Sequence, residues 1–235
     1  MKMVRFVGVV ALLVVLLVLT IIIVSRDFEP VQGKLLNEFR GRGAAMQFVH
    51  TTDDVTKVLG SDKCQNIECQ NIKVMKKSLT VDFFFIGCYA LLYLSISRLL
   101  MKRNCPWARY LGIVAMVAGL GAAVADVREN MAILQVLSQT PNYVQNSVNH
   151  IIEAALLKWT FSFVAIALLA IAFQDLESRL ARWISISFIV TAVVGFAGLW
   201  KHPLFAFSFI PLAIGLLLLA FTAFTRPHEL IESRR

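Results

Sequence analysis

The sequence predicts an all-α protein, a polytopic bundle of six transmembrane helices with one extracytoplasmic loop of about 56 residues that contains a short amphipathic helix. Three observations carry that expectation. The chain is 58% hydrophobic and only 16% charged, whereas soluble domains sit near one-quarter charged. Several apolar runs approach or exceed the roughly 18–20 residues that cross a hydrocarbon core. The basic residues mostly flank those runs. A net charge of +8 would suggest nucleic acid for a soluble chain, but no basic stripe with interleaved aromatics occurs. The partners expected are therefore membrane lipids and not nucleic acid, and oligomeric state stays open.

The first apolar segment runs from Val7 to Val24. Lys2 and Arg5 would suit a signal-peptide n-region, but about 18 apolar residues exceed the usual 7–15 and no A-x-A-like site follows. Residues 1–24 therefore read as a retained anchor; cleavage would leave five helices and move nothing else. Residues 25–80 form the loop, read as a lid over the outer mouth of the bundle, with a solvated tether as the alternative. Its middle, "AAMQFVHTTDDVTKVLG", signals a short helix, with Thr52 or Asp53 as N-cap and Gly60 as terminator.

The same loop contains "CQNIECQNI", a near-tandem repeat with Cys64 and Cys69. In an oxidising compartment a local disulfide is the simplest reading. A redox relay usually uses C-x-x-C and a second pair, whereas Cys88 falls inside the second segment and Cys105 on the other side. Two cysteines without nearby histidines also fall short of a zinc site.

Residues 81–225 supply five further spans, followed by a cytoplasmic tail over 226–235. The spans cover Phe83 to Met101, Tyr110 to about Leu137, Ile151 to Phe173, Trp183 to Trp200 and Leu204 to Phe224. Trp107, Tyr110, Trp183 and Trp200 fall at segment ends, where amphipathic rings favour the interface. The run "GLGAA" (119–123) allows close helix approach, and Pro211 is expected to kink the sixth helix.

Basic residues set the orientation. With Met1 cytoplasmic, the inner segments hold 11 Lys and Arg in fewer than 40 positions, and the outer ones 10 in more than 70. Both termini are therefore expected inside, in a bacterial inner membrane.

The functional question is posed by "GAAVADVRENMAILQVL", where Asp126, Arg128, Glu129 and Asn130 interrupt an apolar span. Asp126, Glu129 and Asn130 stand at i, i+3 and i+4 and share a helix face, while Arg128 points elsewhere. Asp82 opens the second span, and Tyr89 lies on its face about 10 Å deeper at 1.5 Å per residue. Lys158 lies in the fourth span, about 7–8 Å below Glu153 by the same rise. His150 and Glu153 stand at the mouth of that span, and His202 lies in the outer turn before the sixth. An intramembrane charge is costly and usually paired or functional. Lys158 has Asp126, Glu129 and Asp82 as candidate partners, and Asn130 and Tyr89 as candidate hydrogen-bonding neighbours.

The stretches "LTVDFFFIGCYALLY", "AVADVRENMAILQVL" and "AALLKWTFSF" resemble a group of uncharacterised bacterial multi-pass integral membrane proteins. These carry an Asp-aromatic-Phe…Tyr helix, a later Asp-x-x-Glu-Asn helix and a Lys opening the next. The loop stretch "MQFVHTTDDVTKVLG" is similar to the acid- and threonine-bearing helix that precedes them, so the likeness spans roughly 46–163. It carries over Asp82, Tyr89, Asp126, Glu129, Asn130 and Lys158 and implies no reaction.

Three functions compete. The first is binding of a lipid headgroup or small amphiphile by Asp82, Tyr89, Asp126, Glu129, Asn130 and Lys158, with His150, Glu153 and His202 around them. The second is an intramembrane lipid-modifying enzyme, with an acid and a base drawn from Asp126 and Glu129; a metal form would recruit His150 and His202. The third is a structural subunit in which the charges fix helix register. No nucleotide, P-loop, metalloprotease or nucleophile-elbow motif occurs, and neither a cofactor nor a metal is expected.

Overall fold

Backbone N–H and C=O groups find no water in a hydrocarbon core, so apolar runs satisfy them internally as helices. The computed structural model is helical accordingly and describes residues 1–25, 42–59, 67–103, 105–139, 142–174, 176 and 178–230. In chain order the helices are α1 (Lys2–Val24), α2 (Arg42–Gln47), α3 (Thr52–Leu59), α4 (Ile67–Met101), α5 (Pro106–Ser138) and α6 (Gln145–Gln174). They continue with α7 (Arg179–Trp200), α8 (His202–Phe205) and α9 (Phe209–Thr225), with 3-10 turns at Ala206–Ser208 and Pro227–Leu230. Among the described residues six spans are long and apolar enough to cross a membrane: α1, α4 from Gln70, α5, α6, α7, and α9 with its preceding 3-10 turn. The chain is a multi-pass integral membrane protein. Of the Cys64–Cys69 pair expected from the sequence, Cys64 and the side chain of Cys69 lie outside the described residues, while the Cys69 backbone is in the first turn of α4.

The chain divides into two compact units, one of 1–16, 87–123 and 159–235, the other of 17–86 and 124–158. In the first, small residues let helices close on large ones. A Cβ on Gly195 of α7 would stand 2.2 Å from the Phe163 ring of α6, and one on Gly119 of α5 2.4 Å from Tyr93 of α4. Trp159, Phe163, Phe205 and Phe209 interlock there, with Trp159 and Phe205 edge to face at 4.6 Å between centroids. In the sixth span a 3-10 turn over Ala206–Ser208 comes just before Pro211. Pro211 itself falls in the first turn of α9, where its missing N–H is one that no carbonyl of the helix would accept.

One end of this unit is clasped by Arg103, which is buried. Its Nη1 donates to Ala172 O and its Nη2 to Leu230 O, both at 3.0 Å, and the guanidinium stands over the Phe173 ring. The last carbonyls of a helix lack intrahelical partners, and Ala172 is two residues from the end of α6. Ser178 caps α7 by accepting from Leu180 N and Ala181 N, and its hydroxyl donates to Glu229. That hydrogen bond, and then the Arg226 guanidinium 3.2 Å away, holds the Glu229 carboxyl below its ordinary range.

In the second unit α4 begins at Ile67, so residues 67–80 are helix where the sequence reading had loop. The cause is an amphipathic pattern that a search for apolar runs passes over. Asn71, Met75, Ser78 and Leu79 are buried at helical spacing, while Lys73, Lys76 and Lys77 face outward. The helix expected in the loop is α3, but its cap is Thr51. The Thr51 hydroxyl accepts from Asp54 N, and Asp54 accepts from Thr51 N in return, the reciprocal arrangement of a capping box. The described part of this segment, 42–59, is packed: Met46, Phe48, Val49, Val55 and Leu59 are buried. Gln145 of α6 bonds His50 O and Thr52 N, and Asn71 of α4 donates to Leu59 O at 2.7 Å.

Candidate functional site

Three spans of the second unit present polar side chains on buried faces. On α5, Ala125, Asp126, Glu129, Asn130 and Ile133 face inward while Val124, Val127, Arg128 and Met131 are exposed. The i, i+3, i+4 spacing therefore does place Asp126, Glu129 and Asn130 together, with Arg128 on the opposite side. On α6 the inward stripe is Ser147, Val148, Ile151, Ala154, Ala155 and Lys158. Lys158 sits where that stripe should carry another aliphatic residue. α4 contributes Asp82, half-buried, one turn before Ile86.

These side chains form one connected cluster. Lys158 Nζ donates to Asp126 Oδ1 at 3.0 Å and lies 2.6 Å from Glu129 Oε2. Asn130 Nδ2 donates to Asp82 Oδ2 at 2.7 Å. Asp126, Glu129, Asn130 and Lys158 are all at most 4% exposed, and Asp82 also lies in the electrostatic field of Asp126 and Lys158. The ammonium is shared by two carboxylates, which offsets desolvation only because the geometry is close. Glu129 Oε1 is fully buried without a hydrogen-bond donor among the described residues.

Two other expected residues face away from the cluster. His150 and Glu153 are exposed on α6 and pair with each other at 3.7 Å. Tyr89 belongs to the first unit, where its ring meets Tyr93 edge to face at 6.1 Å. The side chain of His202 lies outside the described residues. Among the described residues no group of three or more His, Cys, Asp or Glu is arranged to hold a metal ion.

Asn71 and Arg103, both buried, are polar residues that the sequence reading did not single out. Asn71 ties α3 to α4 and Arg103 ties chain turns together, each through a backbone carbonyl. A side chain that bonds main chain has no partner residue type to look for, so no sequence signal marks it.

The cluster offers anchoring charge of both signs, carboxylates in excess of ammonium, and one carboxylate at an accessible edge. Comparison with known proteins adds nothing to this chemistry. No family model matches the chain, and no significant match is found to a curated protein or a solved structure.

Proposed function

We propose that this membrane protein binds the polar headgroup of a lipid or small amphiphile at the cluster of Asp82, Asp126, Glu129, Asn130 and Lys158. The observation that supports the reading is the half-buried state of Asp82 beside an otherwise enclosed cluster. Asp82 is held by Asn130 and gives the cluster an edge that a headgroup can reach from the lipid. Intramembrane ionisable residues mark ligand sites by default, and the acyl chains of an amphiphile would lie along the apolar exteriors of the spans. Exposed Phe84 on α4 and Val127 and Met131 on α5 are such surfaces. The proposed setting is a bacterial inner membrane with both termini cytoplasmic.

A second reading is favoured by a different observation. Lys158 is committed on two sides, to Asp126 and Glu129, so the cluster also suits an ion-pair network that fixes helix register. Native mass spectrometry of the purified full chain separates the two. Headgroup binding predicts a retained lipid or amphiphile whose occupancy falls at least tenfold in Asp82→Asn, with thermal stability near the parent. A parent that carries no lipid above the level of a control membrane protein leaves the scaffold reading.

A further inference from the structure

One end of the first unit carries exposed cations that no carboxylate meets. The Arg103 clasp joins the turn after α4 to the end of α6 and to Leu230, and Ser178 ties the start of α7 to Glu229. Gly8 sets the start of α1 against Ala223. Lys2, Arg5, Arg98, Lys102, Arg109 and Arg182 are exposed at this end, and none makes an ion pair with a described residue. Glu229 is the one acid of the unit among the described residues, and it is taken by Arg226.

Two of these cations are brought together by helix packing. A Cβ on Gly112 of α5 would stand 3.0 Å from Ser97 O of α4, and one on Gly119 would stand 2.4 Å from Tyr93. The two helices therefore run antiparallel and in close contact. Arg109 is one turn before Gly112, and Arg98 is next to Ser97. Counted from those contacts at 3.6 residues per turn, Arg98 and Arg109 leave the pair on the same side. That side continues along the span through exposed Ile113 and Leu120 of α5 and exposed Leu91 and Gly87 of α4. A cation that only sets topology can stand in a loop, whereas Arg98 stands within α4, on a face turned to lipid. Its stem lies along apolar surface while the head reaches the phosphate layer.

We propose that this α4–α5 edge binds an anionic phospholipid, with the phosphate held between Arg98 and Arg109. A guanidinium presents a planar fork that matches phosphate oxygens two at a time, and Lys102, one turn after Arg98, adds a third positive charge. The acyl chains lie along Ile113, Leu120, Leu91 and Gly87. The site shares no residue with the cluster around Asp82 and stands or falls independently of it.

Native mass spectrometry tests it, on the full chain released from nanodiscs of phosphatidylglycerol and phosphatidylcholine in equal parts. The parent should retain phosphatidylglycerol in preference. A cation near a lipid surface contributes about fivefold in affinity, so Arg98→Gln with Arg109→Gln should lower that retention about twenty-five-fold. Arg5→Gln with Arg182→Gln removes the same charge from the same end and should keep the parental preference. A parent that retains both lipids equally overturns the proposal, and that measurement requires no variant to fold. Retention that survives in Arg98→Gln with Arg109→Gln overturns it too, and so does an equal fall in the Arg5 and Arg182 variant, which would mean a diffuse field. A preference lost in Asp82→Asn instead assigns the lipid to the other cluster and equally overturns it.

Discussion

Lys158 illustrates why one-sided changes are severe in this chain. Its ammonium serves Asp126 and Glu129 together, and all three are enclosed. Lys158→Met leaves carboxylates without their cation, and breaking a buried pair from one side typically costs about 3–5 kcal/mol. Lys158→Met combined with Asp126→Asn removes both charges of the hydrogen bond between those two residues and should recover most of that loss. Thermal unfolding in one detergent checks this, and a double variant no more stable than the single one would mean that Lys158 and Asp126 are not energetically coupled. This pairing was legible in the sequence, because helical spacing fixes which residues of one helix share a face and few carboxylates lay at matching depth. Depth alone misled at His150 and Glu153, which stand near the mouth of the same helix but on its exposed side. Their face depends on which neighbours α6 meets, and composition does not carry that.

Helices of this chain were easier to count than to bound. Six apolar runs gave six spans, yet α4 extends back to Ile67 because polar Asn71 and Ser78 sit on its buried face. Likewise the sixth span holds a 3-10 turn just before Pro211 that the apolar run did not announce. Close packing is also invisible to a count of apolar residues. A methyl group on Gly195 would fall 2.2 Å from Phe163, and overpacking of this kind typically costs about 1–3 kcal/mol. Gly195→Ala should therefore lower the melting temperature, while Gly87→Ala, where a Cβ meets nothing within 4 Å, should not. If both behave alike, α6 and α7 do not meet as described. The Pro227–Leu230 turn supplies a pH test. Glu229 is held below its ordinary range by Ser178 and then Arg226. Its folded-state pKa is thus lower than its unfolded one, so its contribution is complete above about pH 4.3 and is lost as pH falls through the lowered folded value. Hydrogen exchange at Leu230 should accelerate over that acidic window in the parent. In Glu229→Gln it should already be fast at neutral pH, and exchange identical in the two proteins would remove Glu229 from the clasp.

Orientation in the membrane depends on where the cations beside the spans collect. Arg103 bonds Ala172 O and Leu230 O, so the turn after α4, the end of α6 and the C-terminal turn share one end of the first unit. Gly8 lies against Ala223, which brings the start of α1 to the same end. Exposed Arg5, Arg98, Lys102, Arg109, Arg182 and Arg226 are therefore grouped there, with Trp107 and Trp183 exposed nearby in sequence. A retained cluster of short-loop cations is the signal that keeps an end in the cytoplasm, and exposed tryptophans suit the headgroup layer beside it. Cys105 falls in the turn between α4 and α5, whereas Cys64 and Cys69 precede the main body of α4. In intact cells a membrane-impermeant thiol reagent, applied after mild reduction, should modify Cys64 and Cys69 and spare Cys105. Cys105 is half-buried, so protection alone is ambiguous. The same reagent on inside-out vesicles should reverse the pattern and reach Cys105. Labelling of Cys105 from outside the cell, with Cys64 and Cys69 reached only in the inverted vesicles, would place the cationic end on the outer face and invert the topology.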